Sequence, residues 1–254
     1  MVAGNHQPAP AAGAGAMLGL WEAAADGSDV NRALALLSAA HADMPAEALA
    51  ALPIGRRDAD LLDLHDRLFG SRIDCKTECA ACGATMEVTF DTADVRTMAA
   101  AVTTRITLKS AGIDVLARLP DSHDLAAIER MEDAEAAWQI LVRRCILEAR
   151  RGAEPIPATG VPRTVLEAIE TAVAETDPQA DVVISLACPD CGAEALVPFD
   201  IARQTWARLD HWARAMLGAV DAIASRYGWN EADILALGPR RRQHYLDLIG
   251  GGPQ

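Results

Sequence analysis

Two short segments constrain this chain more than anything else in it. "ECAACGATMEVTFD" occupies residues 78–91 and "ACPDCGAEALVPFD" residues 187–200. Sliding the second back by 109 positions places Cys188 on Cys79, Cys191 on Cys82, Gly192 on Gly83 and Ala193 on Ala84. Val197, Phe199 and Asp200 then fall on Val88, Phe90 and Asp91. Agreement at so many matched offsets marks an internal repeat.

The chemistry of each copy is specific. Two residues between cysteines let both thiolates reach one ion from a tight turn, and the glycine that follows tolerates the left-handed backbone such a turn needs. Period-2 runs on either side predict a β-hairpin with the knuckle at its tip. One pair supplies two ligands, whereas zinc takes four, so the two copies together predict a tetrahedral site of Cys79, Cys82, Cys188 and Cys191. The long stretch between the pairs makes this a zinc ribbon split by an insertion, held in one sheet by a structural Zn²⁺. Four thiolates leave no corner open for a substrate, so the ion is a staple and not a reaction centre. Two other readings of the same residues are a redox-active pair, Cys188-Pro-Asp-Cys191, and a site that has lost its metal. The repeated glycine and the matched second pair favour metal.

The remaining cysteines have plainer readings. Cys75 superposes on Ile184, an apolar strand position, and reads as a core residue rather than a fifth ligand. Cys145 shares a helical face with Ala134, Ala137, Trp138 and Leu141 and reads as a small apolar filler. His65, beside a face of Leu61, Leu64 and Leu68, is a packed or exposed histidine rather than a ligand.

Composition narrows the class. Hydrophobic residues make up 51% of the 254 residues, while Phe, Trp and Tyr reach only 4%. Much of the apolar share is alanine, which loses least on entering a helix. No stretch approaches the roughly 18 apolar residues of a membrane span. Six cysteines with no export signal at the start of the chain point to a reducing cytosol. The formal net charge of −13 repels a phosphate backbone, which makes nucleic acid an unlikely partner.

The organisation follows from local signals. Residues 1–16 are rich in Ala, Gly and Pro and read as a disordered tail. Residues 17–70 form an N-terminal helical region in which Ser28 is an N-cap and Gly70 a stop. Residues 71–92 and 181–200 are the knuckle hairpins. Residues 93–180 hold an inserted hairpin around Ser110-Ala111-Gly112, with helices after it. In 201–254 a long helix carries Trp206, Leu209, Ala213, Met216, Val220, Ile223 and Tyr227 at heptad spacing, with intramolecular packing favoured over a coiled coil. Two short helices follow, one capped by Asn230. The expected fold class is α+β, mostly α-helical: a helical body with small β-hairpins forming a split zinc ribbon.

No catalytic constellation appears: there is no phosphate-cradling glycine loop, no Gly-x-Ser-x-Gly turn and no HExxH. The expectation is a protein that is not an enzyme and has no small-molecule substrate. A rival reading is a zinc-ribbon regulator that binds nucleic acid through Arg240, Arg241 and Arg242. Three consecutive arginines cannot share one helical face, and the Gly238-Pro239 turn would splay the flanking helices.

The full set of motifs resembles a known group. "LPIGRRDADLLDLHDRLFG" leads into the first knuckle, "RLPDSHDLAAI" follows the inserted hairpin, and "YGWNEADILALGPRRRQHYLDLI" follows the second knuckle. This is similar to proteins encoded in contractile-tail gene clusters and related to the baseplate hub assembly chaperones of contractile-tailed phages. Similar sequences accompany phage-tail-like contractile injection systems. The resemblance implies a non-enzymatic structural or assembly protein whose partners are baseplate or tail hub proteins. It would act in the cytoplasm or be incorporated into a tail-like particle. Trp229, Arg240, Arg241 and Tyr245, among the residues that carry the likeness, are its candidate partner-binding residues.

Overall fold

The computed structural model describes residues 13–97 and 104–251. Among them are ten α-helices and eight short strands, and all strand pairing is antiparallel. The chain is α+β and mostly helical, as expected.

The helical body is built from both ends of the chain. Helices α1 (Ala14–Ala24), α2 (Asp29–Ala40), α3 (Ala46–Ala50) and α4 (Ile54–Phe69) come first. Helix α8 (Ile201–Tyr227) runs 27 residues beside α1, α2 and α4. Their apolar faces close one core around Leu36, Leu37, Leu61, Leu62, Leu209 and Ala213, each with no more than 1% of its surface exposed. The heptad face of α8 is therefore consumed inside the molecule from Trp206 to Met216 and at Ile223, while Tyr227 at its end is exposed. Local chemistry sets the ends: the Ser28 side chain accepts from the Asn31 N–H, and Gly70 stops α4 at φ +84°. Residues 1–12 of the expected tail lie outside the described residues. Its last residues do not: α1 begins at Ala14, because alanine propensity and the burial of Met17 and Leu18 carry the helix into them.

Between the body's two halves the chain makes the repeated hairpins and the insertion. Strands β1 (Arg72–Glu78) and β2 (Thr85–Asp91) form the first hairpin. Strands β3 (Arg105–Ser110) and β4 (Ile113–Arg118) turn at Ala111-Gly112, both with positive φ. Helices α5 (Ser122–Ile128) and α6 (Ala134–Cys145) follow. Strands β5 (Ile146–Arg151) and β6 (Glu154–Pro155) complete a four-stranded sheet of order β3-β4-β5-β6. Helix α7 (Arg163–Thr176) covers it, burying Val165, Leu166 and Ile169 against Ile113, Val115 and Ala149. The insertion thus owns a second core. Strand β5 was not anticipated: the helical spacing through Cys145 runs straight into it, and Ile146, at φ −74° and ψ 118°, already has extended backbone. The second hairpin, β7 (Val182–Ala187) and β8 (Glu194–Phe199), leads into α8.

The insertion is stitched to the α4 N-terminus at Pro120 and Asp177, and its two ends are tied to each other through Gln179. The Ile54 N–H donates to the Pro120 carbonyl at 3.1 Å, and the Gly55 N–H to Asp177 Oδ2 at 2.9 Å. Gln179 accepts from the Thr97 N–H at 2.9 Å and donates to the Val95 carbonyl at 3.2 Å. Both contacts at the α4 N-terminus satisfy amides that a helix leaves without internal partners. They bring residue 177 back beside residue 55, and so bring the second hairpin back to the first.

The C-terminus returns along α8 as α9 (Glu231–Leu235) and α10 (Pro239–Gly250). Asn230 caps α9 by accepting from the Asp233 N–H. No helix among the described residues is long and apolar enough to cross a membrane.

Candidate metal centre

Each knuckle is fixed by the same two backbone bonds. In the first, Cys79 N–H donates to the Ala84 carbonyl at 2.9 Å and Gly83 N–H to the Cys79 carbonyl at 2.8 Å. In the second, Cys188 N–H donates to Ala193 and Gly192 N–H to Cys188, both at 2.9 Å. Gly83 and Gly192 have φ of +75° and +72°, in the region where a side chain would be strained. The tight turn in each copy is therefore bought by glycine and aims two sulfurs the same way.

The hairpins face each other about an approximate twofold relation. Cys79 Sγ lies 3.7 Å from Cys191 Sγ, and its repeat-mate pairing, Cys188 with Cys82, is also 3.7 Å. Phe90 and its equivalent Phe199 meet edge to face with centroids 5.3 Å apart. All four sulfurs lie within 4.8 Å of one another. Metal–sulfur bonds of about 2.3 Å set the edges of a regular tetrahedron at about 3.8 Å, whereas a disulfide needs about 2.05 Å. The observed spacing fits the first and excludes the second. Cys79 and Cys188 are 3% exposed, packed with Met86, while Cys82 and Cys191 face outward. Such a set can hold one soft divalent ion with its coordination complete.

The thiols cannot ionise independently at this distance. The N–H groups of Cys82 and Ala81 point at Cys79 sulfur and pull its pKa down to about 7. At Cys82 the Ala84 N–H acts the same way, but the neighbouring sulfurs of Cys191 and Cys79 overcome it and push the thiol up to about 12. One proton leaves readily and the next is resisted, which is how four converging thiols behave until a cation shares their charge.

The hairpins do not merge. They remain two separate two-stranded sheets, contrary to the expectation that one sheet contains both. Their inner faces instead border a cleft of about 300 Å³, where Cys75, Val88, Phe90, Ile184, Val197 and Phe199 meet a rim that includes Asp74, Lys76, Asp200 and Arg203. The link between them is thus side-chain packing and the sulfur cluster, with no backbone ladder. Cys75 is half-buried against the main core, away from the cluster. Cys145 is 2% exposed, and burial pushes its thiol up to about 12.

The other candidate residues gather at the far end of the molecule. Trp229 and Tyr245 rings meet edge to face at 5.0 Å, and Tyr227 contacts both, at 5.6 and 5.5 Å. Arg240 and Arg241 are exposed on the first turn of α10. Arg242 is buried, donating to the Leu237 carbonyl at 3.1 Å. The arginine run is therefore divided between a structural residue and two surface cations. The contact of Tyr227 with Tyr245 joins residues 18 positions apart, which local spacing does not reveal. His65 is fully buried against Phe69, and neither ring nitrogen has a hydrogen-bond partner among the described residues.

A family model described as "T4 bacteriophage base plate protein" matches residues 26–203, a stretch that contains both cysteine pairs and the whole insertion. No curated protein and no solved structure matches the chain. With a match over more than half its length, the chain belongs to the T4 bacteriophage base plate protein family.

Proposed function

We propose that this protein is a non-enzymatic structural or assembly component of a contractile, phage-tail-like baseplate, stabilised by zinc bound to Cys79, Cys82, Cys188 and Cys191. The supporting observation is that the family match spans both knuckles together with the insertion between them. The sulfur cluster then acts as a closed staple. It joins two segments 109 residues apart in sequence and so fixes the insertion against the body. Closed coordination leaves nothing for a substrate to bind, which accords with a protein that presents surfaces rather than turning over a ligand.

In an assembly role the protein acts on hub or baseplate subunits before the particle is complete, in the manner of a chaperone. Trp229, Tyr245, Arg240 and Arg241 are the proposed contact surface for such a subunit. Trp, Tyr and Arg are the residue types that dominate protein–protein binding energy; here Trp229 and Tyr245 are half-buried, and Arg240 and Arg241 are exposed beside them. The burial of Arg242 weighs against a nucleic-acid reading, since it withdraws one cation of the three from any phosphate.

The test is a host strain lacking the gene, with contractile particles counted by electron microscopy. Loss of intact particles, restored by the wild-type gene, is the expected result. Full particle yield without the gene would overturn the proposal.

A further inference from the structure

The repeat supplies an internal control on surface chemistry. In the first hairpin the central outward positions are Asp74, Lys76, Glu87 and Thr89, all exposed. They satisfy one another: Lys76 Nζ meets Glu87 Oε1 at 2.6 Å, and Thr89 Oγ1 donates to Asp74 Oδ1 at 2.7 Å. The equivalent positions of the second hairpin are Val183, Ser185, Leu196 and Pro198. Val183 is 46% exposed and Leu196 75%. Single exposed apolar side chains are ordinary. Here, however, the first copy builds the same hairpin with charges at these sites, so the fold does not require the apolar face.

The backbone makes one edge of this hairpin complete. The Cys188 N–H bonds Ala193, so in the alternating antiparallel pattern Val182, Ile184 and Leu186 direct their N–H and C=O groups at β8. Val183 and Ser185 then direct theirs outward, where no further strand pairs with β7 among the described residues. The outer edge of β8 is interrupted, because Pro198 has no N–H to offer there. Around this face stand Asp181, Asp190, Glu194 and Asp200, all exposed, and residues 181–200 contain no Lys or Arg.

We propose that the outward face and β7 edge of the second hairpin dock an extended segment of another baseplate protein, with apolar side chains at alternate positions and Lys or Arg at its ends. The segment adds as a third strand, its backbone bonding Val183 and Ser185 and its side chains lying over the Val183–Leu196 face. Charge selects the occupant: Arg203, the cation beside Asp200, is paired with Asp29 at 3.0 Å, so the four carboxylates set the sign of the patch, repel a second copy of it and attract basic flanks. This inference rests on the proposed baseplate role and names a surface within it.

The test copies the first hairpin onto the second. Val183→Asp, Ser185→Lys and Leu196→Glu together reproduce the charges found at residues 74, 76 and 87. Ser185 faces Leu196 across the strands as Lys76 faces Glu87, so the Ser185→Lys and Leu196→Glu changes can pair in the same way, while Val183→Asp, opposite Pro198, stays solvated at an exposed position. The full chain is mixed with purified baseplate subunits of the same particle, one at a time. We expect one subunit to bind the wild type, to slow hydrogen exchange at the Val183 and Ser185 amides, and to bind the triple variant roughly tenfold more weakly or worse. Three results would each overturn the docking face. These are unchanged affinity of every binding subunit for the variant, no slowing at those amides with any subunit, and a wild-type dimer that the variant dissolves. In the gene-deletion strain, full restoration of particles by the triple variant defeats this inference alone, whereas intact particles without the gene defeat the baseplate role itself.

Discussion

At the scale of single residues, close approach decides which side chains are replaceable. A Cβ at Gly55 would stand 1.8 Å from Asp177 Oδ1, so only glycine lets that carboxylate reach the α4 N-terminus. Gly55→Ala should lower stability by about 1–3 kcal/mol, measured by denaturant unfolding, and adding Asp177→Ala should recover part of the loss. His65 is the other exposed weakness of a buried position. Burial holds its pKa below the ordinary 6.5, opposed by Asp66. The unfolded chain therefore gains a proton near pH 6.5 while the folded one resists it, and this contribution to stability falls as the solution is acidified through that range. Asp58, pushed up to about 6 by burial, works in the opposite sense. The readout is therefore a difference: His65→Leu should lose less melting temperature than the wild type between pH 7.5 and 5.5. None of this was legible in the sequence, where His65 is only a histidine near an apolar stripe. The four cysteines were legible, because each pair carries its own turn glycine and the two share one spacing.

Among elements, the hidden ones are those whose start lacks punctuation. Strand β5 begins at Ile146, directly after a helix that ends at Cys145, with no glycine or proline between them. Its identity comes from the ladder it joins on β4, a long-range pairing that no local pattern reveals. Helix α1 was masked by an Ala/Gly-rich stretch that resembles a tail. The capped helices and the Ala111-Gly112 hairpin were legible, since their signals are local. What locks the insertion's elements together is a buried carboxylate. Asp124 on α5, with no exposed surface, accepts from Arg118 of β4 at 2.6 and 2.9 Å and from Arg144 of α6 at 2.8 Å. Burial by itself would raise this carboxyl, but the Arg118 bonds, the Asp121 N–H and Arg144 together hold it below the usual range. Asp124→Ala removes the shared acceptor, leaving Arg118 only its bond to the Leu119 carbonyl and its pairing with Asp121, and taking from Arg144 its bond to that carboxylate. Breaking a buried pair in this way costs about 3–5 kcal/mol, and the half-exposed arginines place this variant at the lower end, in chemical denaturation.

For the whole molecule, the question is how two ends of a chain and a module with its own core become one body. The helical core closes between α1–α4 and α8, hydrogen bonds at Ile54 and Gly55 moor the insertion, and those from Gln179 to Val95 and Thr97 hold its two ends together. The hairpins share no ladder, so what joins them is the Phe90–Phe199 contact and the four converging cysteines, to which the proposed zinc would add metal–sulfur bonds. Structural zinc contributes folding free energy on the order of 10 kcal/mol, more than any single contact named above. The most direct measurement is therefore the metal content of the purified full chain, beside that of the Cys79→Ser, Cys188→Ser double variant. The account predicts about one zinc per wild-type chain, none in the variant, and a large fall in melting temperature with the loss. A wild type that carries no metal, or a variant that melts where the wild type does, would contradict it.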